Sequence, residues 1–237
     1  MAEFFAGTSG FAYSQWKPQF YPQKLPVKKF LEYYASRLNA VEINYTFRRN
    51  PSASTIENWV NITPPGFSFC LKAHMRITHV LKLQNAQEAT EFFLRSVDPL
   101  RVTGRLGVIL FQLPPFFQRN SEVLEAFLKE LPKDMRFAFE FRHKSWHDNA
   151  VYDLLRKHNV CYCLAESDKL EPPDVMTADF AYFRLRKAEY PPEERQAILE
   201  KAQQLLSGGK SVFLFFKHEE TPDGALYAEE LLRQAKK

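Results

Sequence analysis

At 237 residues, 45% hydrophobic and 25% charged, the chain carries enough apolar material for a sizeable core, which excludes a disordered or low-complexity protein. Its net charge of +4, from 32 Lys+Arg against 28 Asp+Glu, is mild, so a nucleic-acid partner has to be argued from local clusters and not from the total. No signal peptide and no stretch approaching ~18 apolar residues is found, and Cys70, Cys161 and Cys163 lack metal-finger spacing; the chain is expected to be cytoplasmic, with no membrane partner and three buried free thiols.

In chain order, strand-like apolar runs fall at 4–7, 40–44, 67–72, 107–112, 137–142, 160–165, 181–184 and 211–216. Between them lie helical patterns. VKKFLEYYASRL places Phe30, Leu31, Tyr34 and Leu38 on one face; further helix starts are signalled by Asn85 with Glu88, by Asn120 before SEVLEAFLKEL, by Asn149 before AVYDLLRKH, and by Pro191-Pro192 before EERQAILEKAQQLL. That last helix stops at Gly208-Gly209, and ALYAEELLRQAKK closes the chain. Eight strands alternating with helices predict an α/β fold, a TIM-type (β/α)8 barrel forming one domain over 1–237. Its irregular connection is ESDKLEPPDVMTAD, between strands six and seven, which reads as a loop.

A barrel gives each strand an outer face toward the helices and an inner face without bulk water. In RFAFEFR, Phe137, Phe139 and Phe141 alternate with Ala138, Glu140 and Arg142; in AVEIN, Val41 and Ile43 alternate with Ala40, Glu42 and Asn44; in FSFCLK, Phe67, Phe69 and Leu71 alternate with Ser68, Cys70 and Lys72. With the phenylalanines and branched residues outward, the inward sets are small low in the strand and charged high. Gln112, Arg184, and Lys217 with His218 end the other strands. Glu42, Lys72, Glu140, Arg142 and Arg184 are therefore expected to share one pocket at the carboxyl ends, where active sites of this architecture lie. The same charges can instead be a structural ion-pair plug. After the first strand, GTSGFAYSQWKPQFYP reads either as backbone N–H groups offered to an anion or as a tight turn covered by Tyr13, Trp16, Phe20 and Tyr21.

GTSGFAYSQWKPQFYP, VEINYTF followed by Pro51-Ser52, GFSFCLKAHMRITH, LGVILFQLPPFF and FEFRHKSW resemble, in order and spacing, the motifs of the YecE-like family, the domain of unknown function numbered seventy-two. The resemblance spans nearly the whole chain. It implies a TIM barrel similar to the xylose-isomerase-like barrels that include endonuclease IV-type repair enzymes, and fold likeness does not transmit a reaction. Family motifs land on Ser9, Tyr13, Trp16, Glu42, Asn44, Lys72, His79, Gln112, Glu140, Arg142 and Trp146, among others. Arg48, RLRK at 184–187 and FFKH at 215–218 depart from the family pattern, so the contributions of the seventh and eighth strands, Arg186 and Lys217-His218 included, are open.

A metal site would draw on Glu42, Glu140, Glu166, Asp168 and His79, but Lys72, Arg142 and Arg184 lie among them, and cations repel a metal. No metal or other cofactor is assigned. The set suits an anion: Arg142 offers a planar fork, Arg184 a second one and Lys72 a point charge. Glu42 or Glu140 is the candidate catalytic acid or base if burial raises its pKa, the alternative for Glu140 being that it only orients Arg142 or Lys72. Ser9, Tyr13, Trp16, Asn44, Lys72, His79, Gln112, Arg142, Trp146 and Arg184 are the candidate binding residues. The expected function is an enzyme-like barrel binding a small anionic molecule that bears phosphate or carboxylate. The alternative is a nucleic-acid-binding or repair-type protein in which the basic rim holds phosphates and Tyr13, Trp16, Trp146 or Phe117 stacks on bases, unless those aromatics serve the core.

Overall fold

Every strand of the barrel is parallel to the strands it pairs with, as strands alternating with helices require. The structure is a computed structural model and describes residues 2–166 and 173–235. Its strands are β1 (Phe4–Ser9), β2 (Ala40–Ile43), β3 (Ser68–Lys72), β4 (Leu106–Gln112), β5 (Arg136–Glu140), β6 (Cys161–Tyr162), β7 (Leu164–Ala165), β8 (Phe180–Leu185) and β9 (Ser211–Phe216). They follow the order β6-β5-β4-β3-β2-β1-β9-β8-β7. The run predicted as the sixth strand is divided at Cys163: β6 pairs with β5, and β7 pairs with β8. This leaves one seam between β6 and β7 in an otherwise closed TIM-type ring, bridged by Cys163, whose N–H donates to the Phe139 carbonyl at 2.8 Å. The irregularity thus begins within the sixth run, one element earlier than expected.

The helices are α1 (Phe30–Arg37), α2 (Ala53–Ile62), α3 (Gln87–Val102), α4 (Ser121–Glu130), α5 (Asn149–Lys157), α6 (Pro192–Ser207) and α7 (Asp223–Ala235). Asn120 caps α4, its side chain accepting from Val123 N–H, as its position predicts. Two other caps differ. Asp148, not Asn149, caps α5 by accepting from Ala150 N–H, and Asn85 does not start α3: it sits at φ 48°, while the residue before the helix is Ala86. Helix α2 has no counterpart in the sequence reading; it is capped by Ser52, which accepts from Thr55 N–H. No helix among the described residues is long and apolar enough to cross a membrane.

The predicted faces hold. Phe137, Phe139, Phe141, Val41, Ile43, Phe69 and Leu71 belong to the layer shared with the helices, whereas Ala40, Cys70, Val108, Leu110 and Ala138 fill the barrel with Phe213 and Phe215. Small residues on β2 to β5 face bulky ones on β8 and β9, which keeps the interior filled at one diameter. Gly107 shows how tightly: a Cβ there would stand 2.3 Å from Ser68 Oγ and 3.2 Å from the Phe213 ring. The three cysteines are buried free thiols, and burial holds the Cys161 thiol up at about 12.

Candidate functional site at the carboxyl ends of the strands

Strand register brings the polar residues to one level. Ser9 pairs with Glu42, Gln112 with Glu140, and Ala165 with Arg184, each pair at the carboxyl end of its strands. Glu42 and Glu140 are fully buried, on β2 and β5, and Arg184 reaches across from β8 to both. One terminal nitrogen of Arg184 donates to Glu42 Oε1 at 2.6 Å and the other to Glu140 Oε2. Ser9 Oγ at 2.7 Å and Asn44 Nδ2 at 3.1 Å also donate to Glu42 Oε1, while the Tyr182 hydroxyl donates to Oε2 at 2.8 Å. Glu140 in turn takes Arg142 Nε at 2.8 Å and Arg186 Nη2 at 3.0 Å. Tyr182 was missed in the sequence reading; its signal was its place two residues before Arg184, on the same strand face.

Lys72 ends β3 beside this network without joining it. Its Nζ donates to Gln112 Oε1 at 2.6 Å and lies 4.0 Å from the centre of the Phe47 ring. No carboxylate among the described residues pairs with it. Thr46 Oγ1 donates to the Lys72 carbonyl at 2.7 Å, tying the chain after β2 to the end of β3. His79 packs edge-on against the same aromatic ring, centroid to centroid 4.8 Å.

Burial alone would raise the pKa of both glutamates. At Glu42 the Arg184 guanidinium, with hydrogen bonds from Arg184, Ser9 and Tyr182, outweighs it, and the carboxyl sits below its ordinary value. At Glu140 burial is overcome by Arg184, Arg186 and Arg142 together, and the carboxyl is held well below the usual range. The condition under which either was a candidate acid or base, a pKa raised by burial, is not met: at both, the neighbouring cations favour the ionised form. At Lys72 the shift favours the neutral form instead. Burial, reinforced by Arg184 and Arg142 and partly opposed by Glu140 and Glu42, lowers its ammonium to about 8. Burial and two neighbouring cations, Lys72 and Arg142, keep His79 below its ordinary value.

Of the predicted binding residues, Ser9, Asn44, Lys72, Gln112, Arg142 and Arg184 converge, and His79 borders them. Arg184, however, has both terminal nitrogens engaged and 5% of its side chain exposed, so it cannot offer a second fork to a ligand. Trp16 and Trp146 are also corrected. Trp16 is fully buried against Tyr13, Phe20 and Tyr21, and Trp146 is fully buried against Phe117 and Phe141 with Nε1 donating to the Phe117 carbonyl at 2.7 Å. Their faces serve packing. Tyr13 is half-buried, its hydroxyl donating to the Ser9 carbonyl at 3.0 Å, and it lines a cavity of about 550 Å³ with Gly10, Asn44, Tyr45 and Arg49. Gly10 N–H, just after β1, donates to the Glu42 carbonyl and Thr8 N–H, within β1, to the Tyr34 hydroxyl, so neither is free for an anion. His218 turns away from the network, its Nε2 bonded to the Lys187 carbonyl at 2.7 Å, and Lys217 is exposed beside Glu219. Arg186, a position that departs from the family pattern, supplies the third guanidinium on Glu140. Glu166 accepts from the Tyr190 hydroxyl and the Arg186 N–H, and Asp168 lies outside the described residues. Among the described residues, no three His, Cys, Asp or Glu side chains gather as a metal set.

This geometry has known relatives. The curated UPF0759 protein YunF of Bacillus subtilis is 31% identical over 140 residues, 56% of this chain and 49% of its own, so the match spans about half the length of that relative. A DUF72 family protein of Thermotoga maritima superposes with a TM-score of 0.87 at 29% identity, covering 99% of this chain and 100% of that one. One from Enterococcus faecalis, 18% identical with a TM-score of 0.80 over 97% of this chain and 95% of its own, shares the fold. The family described as "Protein of unknown function DUF72" matches residues 5–237, and the chain belongs to it.

Proposed function

We propose that the barrel binds a small anion, bearing phosphate or carboxylate, above the Glu42–Arg184–Glu140 network, with Arg142 as the anchoring fork. The observation that carries this reading is an imbalance. Four cations, Lys72, Arg142, Arg184 and Arg186, stand against two carboxylates, and counting Glu166 beyond Arg186 still leaves an excess of one positive charge. Arg142 spends only Nε on Glu140, and its side chain is 38% exposed, so both terminal nitrogens face outward from the network. Buried Arg186 Nε has no acceptor among the described residues, which adds a donor to the same corner. A bidentate oxyanion satisfies a planar guanidinium fork in a way that chloride or water does not.

Calorimetric titration with inorganic phosphate on the wild type, Arg142→Lys and Arg142→Met tests it. Binding should fall by about tenfold or more in Arg142→Lys, because an ammonium lacks the fork, while the melting temperature stays put. Equal phosphate affinity in all three would overturn the reading. The nucleic-acid alternative is separated by salt: it requires oligonucleotide affinity that drops with a log–log slope of about −0.7 per phosphate contact on single strands. With Trp16 and Trp146 buried, Tyr13 and Phe117, each partly buried, are the stacking faces left to that alternative.

A further inference from the structure

Lys72 is the one network neighbour that the ion pairs do not use, and its surroundings set it apart from an ordinary surface lysine. The ammonium sits half-buried between an amide oxygen, Gln112 Oε1, and the face of Phe47, with two arginines nearby and both local carboxylates already bound to guanidinium groups. From the facing elements, the charged and titratable groups that act on it are Arg184 on β8, Glu140 on β5 and Arg142 just past its end, and Glu42 on β2. His79 packs edge-on against the same Phe47 ring. Glu42 and Glu140 would normally hold a lysine protonated, but here they are spent on arginines.

We propose that Lys72 is an amine nucleophile that forms a Schiff base with a carbonyl-bearing anion, a phosphorylated or carboxylated ketone or aldehyde; this rests on the anion site proposed above. The free-base nitrogen lone pair bonds to the carbonyl carbon as the C=O π pair moves to oxygen. That oxygen collects one proton from the nitrogen and one from solvent and leaves as water, giving an iminium with no change in oxidation state. The charge balance selects the substrate class. An iminium keeps the positive charge of the ammonium it replaces, among arginines that disfavour it, so a substrate bringing its own negative group next to Arg142 offsets that repulsion and a neutral ketone does not. The lowered ammonium value of about 8 makes the free base accessible near neutrality, and burial beside Lys72 and Arg142 shifts His79 toward its neutral form.

Reductive trapping tests the proposal on the full chain. The protein is incubated with dihydroxyacetone phosphate or with dihydroxyacetone, reduced with sodium borohydride, and read by intact mass and peptide mapping, beside Lys72→Arg and Lys72→Met. The expected result is one dominant adduct on Lys72 in the wild type. It should be lost in both variants, rise between about pH 7 and 9, and be at least about tenfold stronger with the phosphate-bearing ketone. Trapping spread evenly over the lysines with both ketones overturns the Schiff base, and the wild-type map alone shows this even if a variant fails to fold. The two readings fail separately. Phosphate binding without Lys72 trapping leaves the anion site and removes the imine, whereas equal Lys72 trapping by both ketones leaves the imine and removes the anion site.

Discussion

Arg184 and Arg142 touch the same carboxylate and have opposite relations to water. Arg184 lies inside the barrel, both terminal nitrogens bound, with 5% of its side chain exposed; Arg142 stands just past the end of β5, bonded by one nitrogen, with 38% exposed. The first crosses the barrel from β8 to β2 and β5 and pairs with two buried carboxylates at once. The second adds charge to an already compensated group. A residue type and a shared partner therefore do not define a role; what does is whether the remaining donors are used. The inner set is a plug in the structural sense, and the outer cations are a surplus that the plug holds in place. Plug and proposed anion site, alternatives when only the sequence is considered, would then be two levels of one cluster.

The comparison breaks most visibly at Arg184. Replacing it by Met leaves buried Glu42 with no paired cation and Glu140 with only Arg142 and Arg186, and the chain should lose about 3–5 kcal/mol of stability in urea unfolding. A loss under about 1 kcal/mol would mean that the inner level is not what holds the charges.

A smaller effect is expected from acid. Because the native pKa values of Glu42 and Glu140 are depressed, the stabilisation they contribute is complete above the ordinary carboxylate value of 4.5 and is lost as pH falls from there toward the depressed native values. Urea midpoints followed downward from pH 7 should therefore hold until about pH 5 and then decline. Had burial won, with both groups neutral in the fold, stability would rise on acidification instead. The acid limb should be shallower in Glu140→Gln, measured against its own value at pH 7.

The smallest effect belongs to Arg142→Met. Glu140 keeps Arg184 and Arg186, so no charge is orphaned, and a half-exposed ion pair is worth about 1 kcal/mol or less. The melting temperature should move by a few degrees at most. A collapse comparable with that of Arg184→Met would place Arg142 in the inner level and remove the anion fork.

How much of this was legible before folding depends on the range of each interaction. Strand faces were readable because alternation is local: Phe139 outward and Glu140 inward follow from a period of two once a barrel is assumed. Asn120 announced its helix because a cap bonds within three residues. Helix α2 was not seen, since ASTIENWVNI buries only Ile56 and Trp59. The division of the sixth run at Cys163 is set by which neighbours each half meets, β5 on one side and β8 on the other, and a run of apolar residues carries no mark of that.

By itself, the sequence determined the α/β alternation, the inward rows that are small low and charged high, and the convergence of Glu42, Lys72, Glu140, Arg142 and Arg184 at the strand ends. Only the tertiary structure decided who pairs with whom. Glu42 and Arg184 are 142 positions apart, and Glu140 and Arg184 are 44 apart; their distances come from ring closure. From that pairing follows the direction of each titration, because a buried carboxyl rises or falls according to the cations around it, and a lysine falls once arginines have taken its counterions. Trp16 and Trp146 make the same point in apolar terms: a rim position in the chain became a core position once neighbouring aromatics folded over both faces.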